Sequence, residues 1–198
     1  METWKINGYT LEYDDESHTY LVDGVIVPSV TQVLGVKFGN KYNRVSAEVL
    51  NRAAVRGTNI HKAIENYCKG ITTEETKELH NFKFLMKYYK LKVLENETPI
   101  LICIDDKPVA AGRLDLILDQ AGESCVADIK TTYTLDKNYL AYQLNLYRLG
   151  YMQSYGINIT KLYGVHLKEN TRKLVSIPIN EALAWEILKD YERKYNNE

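Results

Sequence analysis

Two short motifs in the middle of the chain combine carboxylates with a lysine. The segment Gly-Arg-Leu-Asp-Leu-Ile-Leu at 112–118 is followed by Val-Ala-Asp-Ile-Lys at 126–130, and Ala121-Gly122 lies in the turn-rich stretch between them. A symmetric hairpin centred on that turn places Asp115 opposite Asp128, where paired Cβ atoms are roughly 4.5–5.5 Å apart. Two carboxylates this close repel each other unless they share a proton or a cation. Hard oxygen ligands of this kind suit Mg²⁺ or Mn²⁺ rather than zinc.

Lys130 adds a positive charge beside this carboxylate pair. It follows Asp128 by two residues, so both side chains project from the same face of a strand. A lysine in this position can orient an attacking water, assist its deprotonation or offset charge on a phosphate, and the combination indicates metal-assisted phosphodiester hydrolysis. The alternative for these residues alone is a surface hairpin with Asp–Lys and Arg–Asp cross-strand ion pairs.

The alternation of side chains along the two strands predicts a hairpin with two unlike faces. One face is expected to look into a core, and the other concentrates charge at one end. The apolar face comprises Leu114, Leu116, Leu118, Cys125, Ala127 and Ile129. The charged face comprises Arg113, Asp115, Asp128 and Lys130, with Ile117 and Val126 nearer the turn.

Two helical segments carry further polar residues at a spacing of one turn. His61 and Glu65 are four residues apart, and so are Gln143 and Tyr147 on the helix that follows the hairpin. Residues at this spacing lie on the same face of a helix. Taken alone, the first pair is typical of a solvated surface and the second of ordinary packing and surface positions.

The ordered set of these motifs resembles the PD-(D/E)XK nuclease superfamily, and within it the RecB-like and phage-type exonuclease group. The resemblance spans about residues 18 to 151. The segments that carry it are Arg-Gly-Thr-Asn-Ile-His at 56–61, Gly-Arg-Leu-Asp at 112–115, Asp-Ile-Lys-Thr-Thr at 128–132 and Gln-Leu-Asn-Leu-Tyr at 143–147. The opening segments that also resemble such proteins are His-Thr-Tyr-Leu-Val-Asp-Gly at 18–24 and Pro-Ser-Val-Thr at 28–31.

The resemblance implies an α/β (mixed α+β) fold with a central mixed β-sheet flanked by helices. This is a restriction-endonuclease-like core that cuts DNA with one or two Mg²⁺ or Mn²⁺ ions. Asp115 and Asp128 would then be metal ligands, joined by the backbone carbonyl of Ile129 and by His61. Lys130 would be the catalytic lysine.

Other positions of the sequence match the family pattern in part. Gln143 and Tyr147 match the helix that borders the site and positions the lysine or the DNA backbone, and Glu97 resembles an acidic position of some members. Asp128 stands where glutamate is commoner, which the pattern allows. The cysteines that hold an iron–sulfur cluster in some RecB-like nucleases are absent from this sequence, so no cluster is expected.

A second Asp-x-Lys spacing occurs within Asp105-Asp106-Lys107-Pro108. An Asp-Lys-Pro run between two β-like segments predicts a turn, which lacks the same-face geometry that a strand supplies. This copy is therefore not expected to form a site.

Positive charge is concentrated near His61, although the whole chain has a formal net charge of −1. Six basic residues occur between positions 37 and 62 against one acid, Glu48; they are Lys37, Lys41, Arg44, Arg52, Arg56 and Lys62. This stretch could bring a phosphate backbone to the metal. The residues predicted to contact DNA are Arg52, Arg56, Lys62 and Arg113. The alternative is a solvated helix face whose charge is balanced by acids elsewhere in the fold.

Tyrosines accompany these charges. Tyr42 lies among them, and Tyr139, Tyr142 and Tyr147 lie on the helix after the hairpin. Tyrosines near a cationic groove can stack on unpaired bases, although buried packing is expected for most of these. No helix-turn-helix or zinc finger is present to read base edges, so a sequence-independent nuclease is expected.

The whole sequence, residues 1–198, predicts a single domain without linkers or repeats. The predicted strands lie at 9–13, 19–22, 25–27, 91–103, 110–118, 124–131, 161–167 and 173–177. The predicted helices lie at 29–34, 45–68, 73–90, 138–155 and 180–195. The second helix is expected to break near Gly57, because glycine in a helix interior costs about 1 kcal/mol.

Composition excludes several classes of protein. The 198 residues are 45% hydrophobic and 26% charged, which is ordinary for a globular domain. The balance of 25 Lys and Arg against 26 Asp and Glu excludes a globally basic nucleic-acid coat and an acidic disordered tail. No apolar run approaches the roughly 18 to 20 residues that span a bilayer, and the first residues lack a signal-peptide pattern. A cytoplasmic location without membrane contact is therefore expected.

The leading hypothesis is a Mg²⁺- or Mn²⁺-dependent exonuclease in phage or mobile-element DNA recombination and repair. It would act in the bacterial host cytoplasm if it is phage-encoded. DNA is the expected partner, a single-strand annealing recombinase or a helicase is a further candidate, and the chain is a candidate homo-oligomer. Two alternatives remain open. One is a structure-specific endonuclease with the same chemistry, and the other is a nucleic-acid-binding module that keeps the fold without turnover.

Overall fold

The computed structural model describes residues 1–39 and 46–195, which form two β-sheets and five helices. The smaller sheet has four antiparallel strands in chain order, which are β1 (Glu2–Ile6), β2 (Tyr9–Asp14), β3 (Thr19–Val22) and β4 (Val25–Val27). The larger sheet has five strands in chain order, which are β5 (Leu91–Ile104), β6 (Lys107–Gln120), β7 (Glu123–Lys130), β8 (Lys161–Lys168) and β9 (Thr171–Ile177).

The helices flank the larger sheet. They are α1 (Val30–Phe38), α2 (Ala47–Cys68), α3 (Lys77–Tyr88), α4 (Lys137–Tyr155) and α5 (Glu181–Tyr195). Strands β7 and β8 are parallel and α4 connects them, as a parallel pair requires, whereas the other neighbouring strands are antiparallel. The predicted α+β fold with a mixed central sheet is confirmed. None of the helices in the two described ranges is long and apolar enough to cross a membrane.

Hydrophobic cores cover both faces of the larger sheet. Helices α1, α4 and α5 pack on the face that carries Ile117 and Val126. Helices α2 and α3 pack on the face that carries Leu116. The smaller sheet packs on Leu101 of β5 and Ala111 of β6. Removing this apolar surface from water on both faces is what fixes the sheet, and with it the strand ends that carry the polar motifs.

The hairpin of β6 and β7 has the predicted register. Its pairs run from Leu116↔Ala127 to Gln120↔Glu123. The turn between the strands, Ala121-Gly122, has φ of 56° and 87°. Two successive residues with positive φ are typical of the tight turns that close β-hairpins. The centre of the hairpin is therefore where the sequence predicts it.

The prediction of the apolar face is wrong for one residue, Leu114. Leu114 packs beneath α4 together with Ile117, whereas Leu116 packs beneath α2 and α3. Strict alternation fails here because the neighbouring strand is irregular. Glu97, at the β5 position that faces Asp115 in the register, has φ of 50°.

The predicted break of α2 near Gly57 is also wrong, because the helix runs without interruption over Ala47–Cys68. The side chain of Ser46 caps its N-terminus, and alanine and arginine, which are strong helix formers, precede the glycine. A Cβ at Gly57 would lie 3.4 Å from Thr131 Oγ1. The glycine thus lies where α2 passes close to the segment that follows β7.

Strand β1 has no counterpart among the predicted strands. It pairs with β2 from Glu2↔Tyr13 to Ile6↔Tyr9. Of its five residues only Ile6 is buried, so its sequence carries little of the apolar alternation by which strands are predicted. By contrast, the turn predicted at the second Asp-x-Lys spacing is confirmed. Asp105 and Asp106, with φ of 48° and 62°, join β5 to β6.

Two helix glycines provide a test of the packing of α4. A Cβ at Gly150 would lie 2.5 Å from Ile100 Cδ1, whereas a Cβ at Gly35 in α1 would meet nothing within 4 Å. We expect Gly150→Ala to lower the free energy of unfolding by about 1–3 kcal/mol through overpacking. Gly35→Ala, the matched control, is expected to raise it by about 0.5–1 kcal/mol. Urea denaturation of both variants measures the difference, and equal stability would contradict the packing described.

Candidate active site

The site begins where β6 and β7 separate. The paired residues end at Leu116↔Ala127, one position before Asp115 and Asp128. Beyond that point the Ile129 N–H donates to Asp115 Oδ2 at 2.7 Å. A carboxylate oxygen thus takes the place of a backbone carbonyl as the acceptor for this N–H. The acid is thus fixed by a side chain–backbone hydrogen bond at the end of the ladder.

Helix α2 brings His61 to the same place. The buried residues Ile60 and Ile64 pack the helix on the sheet, and His61 lies between them on the adjoining face. His61 Nδ1 is 3.6 Å from Asp115 Oδ2, and His61 Nε2 is 3.1 Å from the Ile129 carbonyl oxygen. The imidazole therefore contacts two of the predicted metal ligands. Glu65, one turn later, pairs instead with Lys62 of its own helix and with Lys69 at the C-cap of that helix.

Glu97 of β5 completes a group of three possible ligands. His61, Glu97 and Asp115 each offer one ligand atom, and these atoms all lie within 4.8 Å of one another. Sequence analysis relates Glu97 only to an acidic position of some members of the family. The stronger signal is its register position opposite Asp115, which becomes visible once β5 is paired with β6.

Asp128 and Lys130 lie beside this group as a buried ion pair. Lys130 Nζ contacts Asp128 Oδ2, and the Asp128 side chain is only 3% exposed. Although it is in ionic contact, Asp128 Oδ2 accepts no hydrogen bond of acceptable geometry. The alternative of a solvated surface hairpin is therefore excluded, because both the aspartate and most of the lysine are removed from water.

Helix α4 covers the site with Gln143 and Tyr147. Gln143 Nε2 donates to Tyr147 Oη at 3.5 Å, and both side chains are buried. The Tyr147 ring packs over Gly112, where a Cβ would lie 3.3 Å from Tyr147 Cε1 and 3.0 Å from Val30 Cγ2. The glycine of the Gly-Arg-Leu-Asp motif thus leaves the space that α1 and α4 fill.

Two buried oxygens of the site form no hydrogen bond of acceptable geometry, although one of them, Asp128 Oδ2, contacts the Lys130 ammonium. Within residues 1–39 and 46–195, the buried side-chain nitrogen and oxygen atoms without a hydrogen-bond partner are Asp128 Oδ2 and Gln143 Oε1. Both belong to the small set of residues that the sequence singled out. Because an unsatisfied buried acceptor costs free energy, its presence calls for an explanation such as a bound ion or a catalytic role.

The pKa values of the ionisable side chains in the site are shifted in different directions. Burial raises the pKa of Asp128 to about 6, although Lys130 opposes the shift. Burial acts on Asp115 in the same sense, but His61, Lys130 and the Ile129 N–H outweigh it and lower the pKa of Asp115. Burial would lower the pKa of Lys130, yet Asp128 and Asp115 raise it, so the lysine is held as a cation.

The neighbouring groups respond to the same carboxylates. Burial would lower the pKa of His61, but Asp115 and then Asp128 raise it to about 9. Burial and the charge of Asp115 raise the pKa of Glu97 to about 7. Burial, followed by the charges of Asp128 and Asp115, also raises the pKa of Tyr147, which keeps its hydroxyl protonated.

The donor set fits a hard divalent cation. It offers carboxylate oxygens from Asp115, Asp128 and Glu97, the Ile129 carbonyl oxygen and one imidazole nitrogen of His61. Oxygen-rich sets of this kind suit Mg²⁺ or Mn²⁺. A bound positive ion would relieve the mutual repulsion of Asp115 and Asp128, which the ammonium of Lys130 offsets only in part.

An open cavity of about 870 Å³ gives access to this group. His61, Glu97, Arg113 and Asp115 lie in its wall. The Arg113 guanidinium contacts Glu97 at 2.8 Å and Glu2 at 3.0 Å, and it lies 5.0 Å from the centre of the Tyr13 ring. Arg113 is therefore close to the site, but two carboxylates already neutralise its charge.

The other cations predicted to contact DNA lie on α2, and each has an acidic partner. Arg52 lies 3.8 Å from Glu48, and Lys62 lies 3.0 Å from Glu65. Arg56 forms an ion pair with Glu78 of α3. The ion pairs formed by the basic stretch within the described ranges thus agree with the alternative of a charge balanced by acids.

Three residues of that stretch, Lys41, Tyr42 and Arg44, lie outside the described residues. Lys37 of α1 donates to Tyr142 Oη at 2.7 Å and also pairs with Glu186. Tyr142 and Tyr147 are buried, so packing rather than base stacking describes these two rings.

Comparison with known proteins bears on the fold. No family model matches the sequence, and no curated protein matches it. Among solved structures, the chain is similar to the crystal structure of SSO0001 with a TM-score of 0.50 and 19% identity, over 87% of this chain and 76% of that one. A likeness at this level of identity shows the fold alone, so function has to be argued from the site.

Proposed function

We propose that this protein is a divalent-metal-dependent deoxyribonuclease that hydrolyses phosphodiester bonds without sequence preference, and that it acts as an exonuclease. The observation that carries the proposal is the convergence of the buried Asp128–Lys130 ion pair with the ligand group of His61, Glu97 and Asp115, whose ligand atoms lie within 4.8 Å of one another. A binding module without turnover has no need of such a group, because each buried charge costs stability. The cytoplasmic location expected from the sequence pattern and the candidate recombinase or helicase partner are part of this proposal.

The residues that would hold the cation are Asp115, Asp128, Glu97, His61 and the Ile129 carbonyl. When bound, the ion would polarise the scissile phosphate and lower the pKa of a coordinated water. The protein contributes a rigid, partly dry arrangement of anions. The Ile129 N–H orients Asp115, and the packing of α2 on the sheet orients His61.

Lys130 acts in this proposal as a fixed cation rather than as a base. The charges of Asp128 and Asp115 raise its pKa, so it carries a proton at neutral pH. A protonated lysine beside the phosphate offsets the charge that develops as water attacks, and it can orient that water. On the α4 side, the Tyr139 ring centre lies 5.9 Å from Lys130 Nζ, and Gln143 and Tyr147 of the same helix are buried.

Cleavage of two DNA forms tests the proposal. Linear duplex DNA and covalently closed circular DNA of the same sequence are incubated with the protein in Mg²⁺, in Mn²⁺ and in EDTA. We expect metal-dependent loss of the linear form alone, because a closed circle offers no ends. Cutting of both forms would reassign the protein as an endonuclease with the same chemistry. Survival of both forms, and of the heat-denatured linear DNA, in either metal would refute a nuclease.

A further inference from the structure

A second groove begins directly after the predicted catalytic lysine. The segment that follows β7 is held by two side chains of β8. His166 Nε2 lies 2.7 Å from the Thr132 carbonyl oxygen, and Lys168 Nζ donates to the Tyr133 carbonyl oxygen at 3.2 Å. Thr132 Oγ1 also donates to the Thr134 carbonyl oxygen at 2.9 Å. The backbone of this segment is thus fixed even though it belongs to no strand or helix.

The side chain that this fixed backbone presents is aromatic and exposed. Tyr133 is 89% exposed, a larger fraction than that of any other aromatic residue in the described ranges. Lys168 Nζ lies 4.4 Å from the centre of the Tyr133 ring, so a cation lies over one face of the ring. No cation of the described residues lies over the other face. The ring gains little from burial in the free protein, so packing does not explain its position.

Cations and hydroxyl groups line the groove beside this ring. The groove has a volume of about 500 Å³ and lies between α2 and the β8–β9 turn. Arg56 comes from α2, Lys168 from β8, and Thr131 follows Lys130 directly. The residues that line it are Ala53, Arg56, Thr131, Thr132, Tyr133, Lys168, Glu169, Asn170 and Thr171.

The carboxylates near the groove are already neutralised. Glu169 pairs with Lys77, and Glu78 pairs with Arg56. Lys168 makes no salt bridge within the described residues and bonds a carbonyl oxygen instead. The groove therefore presents cationic and hydroxyl donors together with one open aromatic face.

We propose that this groove binds an unpaired nucleotide of single-stranded DNA next to the scissile phosphate, with its base stacked on Tyr133 and its phosphate on Lys168. The placement next to the scissile bond rests on the proposed nuclease function, whereas the binding itself does not. Aromatic rings beside cationic grooves are how proteins bind single strands without reading sequence. A base inside a duplex has both faces covered by its neighbours, so only an unpaired base can use this ring.

Fluorescence anisotropy tests the groove without cleavage. The probes are a labelled oligothymidylate and a labelled blunt duplex, in Ca²⁺ in place of Mg²⁺. We expect Tyr133→Ala to weaken binding of the single strand about tenfold and Tyr133→Phe to retain it, because stacking needs the ring and not the hydroxyl. The slope of log affinity against log salt concentration depends on the number of phosphates that the protein contacts. We expect Lys168→Ala to make this slope shallower by the amount that one phosphate contact contributes. Tyr88→Ala on α3, where the residue is 67% exposed, is the matched control.

The outcomes separate the groove from the nuclease. Three results would each overturn the proposal that this groove binds a nucleotide. They are an unchanged single-strand affinity in Tyr133→Ala, an equal loss of single-strand affinity in Tyr88→Ala, and an equal loss of duplex affinity in Tyr133→Ala. Loss of single-strand binding in Tyr133→Ala by a protein that cuts no DNA would support the groove while the nuclease proposal fails. Cleavage that depends on metal, combined with unchanged binding in Tyr133→Ala, would leave the nuclease standing and remove the groove.

Discussion

Replacing Asp128 by asparagine is expected to lower DNA cleavage about a thousandfold or more, the factor that corresponds to several kcal/mol of lost charge stabilisation at a metal site. Asp128 is buried, and its Oδ2 contacts the ammonium of Lys130 beside the proposed metal ligands. Asparagine keeps the shape of the side chain and removes the negative charge that a cation needs. The measurement is the initial rate at which acid-soluble nucleotides are released from linear duplex DNA in Mg²⁺.

The same variant is expected to stay folded. Because burial raises the pKa of Asp128 from 3.8 to about 6, its neutral form favours folding, and that contribution is lost as the pH rises through about 6. Asparagine does not titrate, so its contribution to stability does not change with pH. In EDTA, the free energy of unfolding of the variant should therefore increase relative to that of the wild type as the pH is raised from acidic to alkaline values. Asp190→Asn on α5 is the control. Cleavage by a well-folded Asp128→Asn protein at the wild-type rate would contradict the account.

Replacing Lys130 by methionine is expected to lower cleavage by about 10²–10³-fold while Mn²⁺ binding is retained. Methionine fills a similar space but carries no charge. It therefore removes the cation that offsets charge on the phosphate and leaves the carboxylates that bind the metal. The loss should appear in kcat rather than in metal affinity, and single-turnover cleavage at saturating Mn²⁺ measures it.

Two further variants make this result specific. Lys130→Arg keeps the charge but changes its shape and its hydrogen-bonding geometry, so partial activity is expected. Lys173→Met, at an exposed position of β9, is expected to behave like the wild type. If Lys130→Met lost Mn²⁺ binding together with cleavage, the lysine would have a structural role and not the proposed one.

Local geometry explains how much of the site could be predicted. The spacing of Asp128 and Lys130 on one strand, and the turn at Ala121-Gly122, follow from the two-residue period of a strand and from turn chemistry. The meeting of His61 with Asp115 is a long-range contact between α2 and β6, and no periodicity encodes it. It was predicted through a family resemblance rather than from physics.

The features that were missed depend on contacts far apart in the sequence. Glu97 joins the site only because β5 pairs with β6, and its irregular backbone also sends Leu114 into the other core. Helix α2 continues through Gly57 because the residues around the glycine are strong helix formers. The cost of one glycine in the helix is too small to outweigh their preference. The ion pairs of Arg113 with Glu97 and Glu2 bring together three strands, of which β1 was not predicted.

The most direct test of the central claim is a calorimetric titration of Mn²⁺ into the wild-type protein and into an Asp115→Asn/Asp128→Asn double variant. It should be made at about pH 8, where Asp128, with a pKa of about 6, and Glu97, with a pKa of about 7, are both ionised. His61, with a pKa of about 9, then releases a proton as it binds the ion. The account predicts saturable binding of one or two ions by the wild type and its loss in the double variant. Absence of Mn²⁺ binding by the wild type, or equal binding by both proteins, would contradict it.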